Sequence, residues 1–301
     1  MNKKQHFNEK GFGHLVLFAM IAVMIGIVGY IGYSVITKQQ TPSDNAKVNT
    51  TNTPKAVVWP VDDKITWEAT GQGSWITMPY DAKPPTCPSP LVLSAPTTAL
   101  DEATSLMYPG QTRVGTFEGK GGNYKPHGGF RFDKSSDNKI PVVMPFDGSV
   151  FRGSRFLVNG EIQYDFDIVN ACGIMVRLGH LRDLTPAFQA IADKFPPAVE
   201  GDSRTTKVTP NKPFKTGEII AIAVGFKATK NVGFDFGVYD LRSDNDASKR
   251  PAYKAAHADT AELSSHALCW LDLLNDKDKE TVKALPAADK VSGKTSDYCT
   301  P

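Results

Sequence analysis

The stretch Glu161-Ile162-Gln163-Tyr164-Asp165-Phe166-Asp167-Ile168 alternates polar and apolar side chains at period two. That alternation is the signature of a β-strand with one face toward a core. Ile162, Tyr164, Phe166 and Ile168 are expected to point inward, and Glu161, Gln163, Asp165 and Asp167 to form a solvated face. Outward from this stretch the pattern recurs. Cys172 to Leu178 alternates similarly, and Val232 to Val238 sets Val232, Phe234, Phe236 and Val238 on one side. Ile219 to Val224 is almost continuously apolar, like a strand buried on both faces. A short helix is expected over Pro186 to Lys194, with Thr185 as N-cap and proline in the first helical position. A second is expected over Ala261 to Leu274, with a polar loop after Leu285. The chain is therefore mainly β, with short helices.

The N-terminus is of another kind. Residues 1–14 are basic, and Leu15 to Ile36 is a charge-free apolar run of about 22 residues, enough to span a hydrocarbon core of about 30 Å. A cleaved secretory signal is the rival reading. Its apolar core is shorter, about 7–15 residues, and Val35-Ile36-Thr37-Lys38 lacks the small residues of a cleavage site. The length favours a membrane anchor at 15–36, with a cytoplasmic N-terminus and the rest extracytoplasmic. Residues 37–56, rich in Thr, Asn, Pro, Lys and Gln, form a flexible linker.

The net charge of the 301-residue chain is +2, and Lys3, Lys4, Lys10 and Glu9 account for it. The exported part is near neutral, which argues against a nucleic-acid partner. All four cysteines follow the apolar run, where disulfides persist. Three pairings are open. Cys269 with Cys299 is preferred, because it staples the C-terminal tail, and Cys87 with Cys172 then ties an early loop to the core. With no Cys-x-x-Cys pair, a cysteine zinc site is not expected.

Five blocks follow one another: Pro126-His127-Gly128-Gly129-Phe130-Arg131, Pro141-Val142-Val143-Met144-Pro145-Phe146-Asp147-Gly148-Ser149-Val150, Gly179-His180-Leu181, Lys215-Thr216-Gly217-Glu218-Ile219, and Gly233-Phe234-Asp235-Phe236-Gly237-Val238. In order and spacing they resemble the LytM/lysostaphin-type zinc metallopeptidases, which cut peptide cross-links in bacterial cell walls. The resemblance covers about Lys120 to Arg242. It implies an antiparallel β-domain of the duplicated hybrid motif type over 120–245. Residues 57–119 are then a β-rich N-terminal part, and 246–301 a C-terminal extension with a helix and a disulfide.

The resemblance places His127 at the first zinc-ligand position, Arg131 at that of the aspartate ligand, Phe236 at that of the second histidine ligand and Phe234 at the additional histidine. His180 matches the family's other catalytic histidine, as a vestige. Neither a guanidinium nor a phenyl ring offers a metal a lone pair. Without the ion, two histidines supply general acid–base catalysis of about 10²–10⁴-fold, too little for amide hydrolysis. His127 and Arg131 are thus candidate ligand-binding residues, and no cofactor is expected unless His257, His266 or Asp133 rebuilds a zinc site. The plainer alternatives are a hydrogen-bonded His180 at a core edge and a structural ion pair of Arg131 with Asp133 or Asp235. The expected function is a non-catalytic envelope protein that binds peptidoglycan or regulates a wall hydrolase. The alternatives are an active zinc endopeptidase and a surface structural or adhesive protein.

Overall fold

The computed structural model describes residues 57–299 apart from 72, 111, 114–122 and 289–292. The apolar run 15–36 and the linker 37–56 lie outside the described residues, as does the 1–14 segment. Among the described residues no helix is long and apolar enough to cross a membrane.

The strands in chain order are Thr66–Ala69 (β1), Trp75–Met78 (β2), Ser105–Met107 (β3), Thr112–Arg113 (β4), Asn123–Tyr124 (β5), Gly128–Arg131 (β6), Val142–Val143 (β7), Gly148–Val158 (β8), Glu161–Val169 (β9), Ile174–Leu184 (β10), Thr206–Phe214 (β11), Ile219–Val224 (β12) and Gly233–Asp240 (β13). Nine of them form one antiparallel sheet in the order β11-β8-β9-β10-β13-β6-β3, with β12 bridging β10 and β7. The other four pair as two small hairpins, β1 with β2 and β4 with β5.

Period-two alternation places the core as expected. Phe166 and Ile168 of β9 and Phe234, Phe236 and Val238 of β13 are buried with Phe130, Phe146 and Trp270. Trp59 joins this core just after the start of the described chain. It stacks on Phe146 at 4.5 Å between ring centroids. Around it, Ser94 Oγ donates to the Val57 carbonyl and Asn170 Nδ2 to that of Pro60.

The polar face of β9 departs from expectation. Gln163 and Asp167 are 0 % exposed and Asp165 is 7 % exposed, while Ile162, expected inside, is 47 % exposed. The cause is a second layer. At the Asp167 end, Trp67 and Trp75 of the β1–β2 hairpin and Ala267 pack on Phe151, Val169, Met175, Tyr239 and Leu241, while at the other end Gln163 Nε2 donates to the Gly225 carbonyl. Trp67 Nε1 donates to the Ala171 carbonyl and Trp75 Nε1 to that of Glu262. Buried acids need partners, and arginines on the flanking strands supply them. Arg177 reaches Asp165 at 3.1 Å and Asp167 at 3.3 Å. Arg152 pairs with both Asp167 and Glu262, under the Trp75 ring.

Three smaller expectations change. The helix over Pro186–Ala192 forms, but Thr185 Oγ1 donates to the Ile219 carbonyl and does not cap it. The helix expected over 261–274 is broken into Ala261–Ser264 and a 3-10 turn at Trp270–Leu273. Between them the backbone pairs with β13, Asp240 N–H donating to the His266 carbonyl and Leu268 N–H to that of Val238. Tertiary pairing there overrides helical periodicity. In β12, Ile219 and Ile222 are about half exposed, so the strand is not covered on both faces. A helix over Asp276–Ala284, capped by the Asn275 side chain, was not anticipated.

Disulfides join Cys87 to Cys172 and Cys269 to Cys299, the preferred pairing. They fit an oxidising, extracytoplasmic compartment.

Removing Asp167 would take one of two carboxylate partners from each of two buried guanidinium groups, leaving Arg152 with Glu262 and Arg177 with Asp165. Asp167→Ala is expected to lower the unfolding free energy by about 3–5 kcal/mol. Lys139→Ala, on the exposed surface, should change it by less than about 0.5 kcal/mol. Urea denaturation followed by fluorescence measures both.

Candidate functional site

The site is built where β10 changes partners. Ile174 to Gly179 pair with β13, whereas Leu181 to Leu184 pair with β12. The register against β9 shifts between Leu178 and Leu181. His180 sits at this fork with φ 58°. A left-handed conformation costs an L-residue about 1–2 kcal/mol, and the surroundings hold it there. The His180 carbonyl accepts from Gly225 N–H at 2.8 Å, and its own N–H points at Asp165 Oδ1, 3.4 Å away. The imidazole stands edge-on to Phe226, with centroids 5.0 Å apart.

His127 arrives from the other side, on the residue before β6. It packs against β13 at Gly237, where a β-carbon would fall 2.9 Å from His127 Cβ and 2.5 Å from the Tyr239 hydroxyl. A residue with a side chain there would displace one of the two. Two positions along β13, on the same face, is Asp235. His127 Nε2 is 2.9 Å from Asp235 Oδ2, and His180 Nε2 is 3.6 Å from the same oxygen. Neither His127 ring nitrogen meets the alignment of a hydrogen bond. Burial acts to raise the Asp235 pKa. The His127 and His180 charges outweigh it and hold the carboxyl well below the usual carboxylate range. The Asp235 and His180 side chains are 18 % and 30 % exposed, so the cluster opens to solvent on the His180 side.

The sequence-derived residues thus divide. His127 and His180 converge. Arg131 does not join them: Nε and Nη2 bind Asp133 Oδ1 at 3.1 and 2.7 Å, and Nη1 binds Asn231 Oδ1 at 2.7 Å. That is the structural ion pair with Asp133, and it lowers the Asp133 pKa. Phe236 is in the core against Trp270 and Phe234 is against Phe130. The β13 side chain beside His127 is Asp235, which sequence reasoning weighed only as a partner for Arg131. Its signal was parity, since a lone acid between two buried phenylalanines must face the opposite way. His257 and His266 are tied elsewhere, His257 near Asp297 and His266 between the Ser243 and Gly73 carbonyls. The Pro141-to-Val150 and Lys215-to-Ile219 blocks are joined to each other, because Asp147 accepts from Thr216 N–H, Thr216 Oγ1 and Lys215 Nζ.

The family's zinc set does not fit these residues. Arg131 is turned away and carries no lone pair, and Phe236 is buried among aromatics. Among the described residues no group of three or more His, Cys, Asp or Glu side chains is gathered so as to hold a metal ion.

Because its folded pKa is depressed, Asp235 contributes stability above the ordinary carboxylate value of about 3.9, and that contribution is lost as pH falls below it. Asp235→Asn should therefore show a shallower loss of unfolding free energy between about pH 5 and pH 2 than the unmodified protein. Denaturant melts across that range measure the two slopes. No protein-family model matches the chain, and no curated protein is significantly similar to it.

Proposed function

We propose that this is a membrane-anchored envelope protein that binds cell-wall peptidoglycan at the His127–Asp235–His180 cluster without cutting it, or that uses the cluster to regulate a wall hydrolase. The observation that carries the reading is the convergence of two imidazoles on one ionised carboxylate at a solvent-facing end of the sheet. The order of the motif blocks, similar to that of the LytM-type peptidases, supports a wall peptide as the ligand. The donor set explains why binding is favoured over cleavage. Two histidines and a carboxylate can exchange hydrogen bonds and protons with an amide-rich ligand. General acid–base work by such groups is worth about 10²–10⁴-fold, and Arg131 and Phe236 supply no metal-activated water.

A pull-down of the full-length chain on purified wall sacculi tests this. His127→Ala and Asp235→Asn should each cut the bound fraction about tenfold, the loss of a charge-assisted hydrogen bond. Arg131→Ala, whose guanidinium faces Asp133 and Asn231, should leave it nearly unchanged. Equal binding by all variants would make the fold a scaffold. Stoichiometric zinc in the purified protein, together with chelator-sensitive digestion of sacculi, would replace the binding reading with an active endopeptidase.

A further inference from the structure

The last described residues of the chain run back to the segment that carries His127. Ser296 Oγ donates to the Pro109 carbonyl at 2.7 Å, and Asp297 N–H to that of Gly110 at 3.0 Å. The Tyr298 hydroxyl donates to the Pro126 carbonyl at 2.7 Å, and Pro126 immediately precedes His127. The Tyr298 ring lies against Gly110, which has φ +73° and where a β-carbon would fall 2.4 Å from the ring. Burial raises the Tyr298 pKa, so the phenol stays a neutral donor. The other end of this strap is covalent, because Cys299, next to Tyr298, is bonded to Cys269. Arg250 Nη2 adds a bond to the Asp297 carbonyl at 2.8 Å.

The two disulfides differ in surroundings. Cys87 and Cys172 are buried in the core, at 7 % and 0 % exposure. Cys299 is also buried, at 6 % exposure, but Cys269 is partly exposed, and both line an open cleft of about 440 Å³ together with Arg250, Asp297 and Tyr298. We infer that the Cys269–Cys299 disulfide is a thiol-labile clamp that, through Tyr298 and Pro126, positions His127. The reductant is a dithiol. Its thiolate attacks one sulfur of the pair and forms a mixed disulfide, and its second thiol then releases the chain. The S–S bond breaks, two electrons and two protons pass to Cys269 and Cys299, and the dithiol leaves as a disulfide. The cut strap keeps only its hydrogen bonds, and these alone, without the covalent link, then hold its last turn against Gly110 and Pro126. The inference rests on the binding reading only for its functional consequence.

The full-length chain, treated with graded dithiothreitol, is read in three ways: alkylation of freed cysteines, the imidazole nitrogen signals of His127, and sacculus binding. Cys269 and Cys299 should become alkylated at lower dithiothreitol than Cys87 and Cys172, with His127 signals shifting over the same range. Binding should fall roughly three- to tenfold, the loss of one or two modest hydrogen bonds. Cys269→Ser with Cys299→Ser should reproduce the shift. Tyr298→Phe should shift the His127 signals with the disulfide intact and the Phe166 and Trp270 core unchanged by fluorescence and circular dichroism. Alkylation of all four cysteines together, or His127 signals indifferent both to reduction and to Tyr298→Phe, would overturn the clamp. If the oxidised protein fails to bind sacculi, the proposed function falls, while alkylation order and His127 signals still decide the clamp.

Discussion

The ionic network of Asp165, Asp167, Arg152 and Arg177 is the constraint on which the other features rest. Four charged groups on adjacent strands of one sheet face cannot stay dry unless they satisfy one another. They do so across β8, β9 and β10, which locks the register of the central meander. A one-residue slip would carry every acid to the phenylalanine side. The network also explains the second layer. Glu262 and Trp75 close over Arg152, so the N-terminal hairpin and the C-terminal extension are held at the same point on the sheet.

The same network reaches the site. Asp165 accepts from Arg177 and faces the His180 N–H at the fork of β10. Burial raises the Asp165 pKa, partly offset by Arg177 and His180. The neighbouring Asp235 moves the other way, because two imidazoles approach it directly. Two acids on the strands that flank β10 are thus set apart by environment: one holds β10, and the other is turned to the open edge. His180 keeps its left-handed backbone because Asp165 on one side and Gly225 on the other over-determine it.

Much of the β architecture was legible in the sequence because period two is a local signal. The strands over 161–169 and 233–240 and the inward aromatic set needed no knowledge of partners. What lay beyond reach depended on partners distant in the chain. The polar face of β9 has the pattern of a solvated surface until Arg152, Arg177 and the hairpin are placed over it. The helix over 261–274 fails for the same reason, since Asn245 and β13 compete for its backbone. Asn275, by contrast, was an overlooked local signal. Of the candidate site, His127 and His180 were singled out through the resemblance of their blocks to a known family. Asp235 was passed over although strand parity alone turns it away from Phe234 and Phe236.

Trp59 gives the fold a mechanical property. Any tension along the segment preceding Val57 enters the domain at residues 57–60, where an indole stacked on Phe146 and the Asn170 bond to Pro60 receive it. The load therefore passes straight into the main hydrophobic core. The β1–β2 hairpin lies downstream in the chain, outside the direct path of the force, and it covers the charged network. A pull on the chain at this point thus meets the aromatic core before it meets the cover of the ionic face.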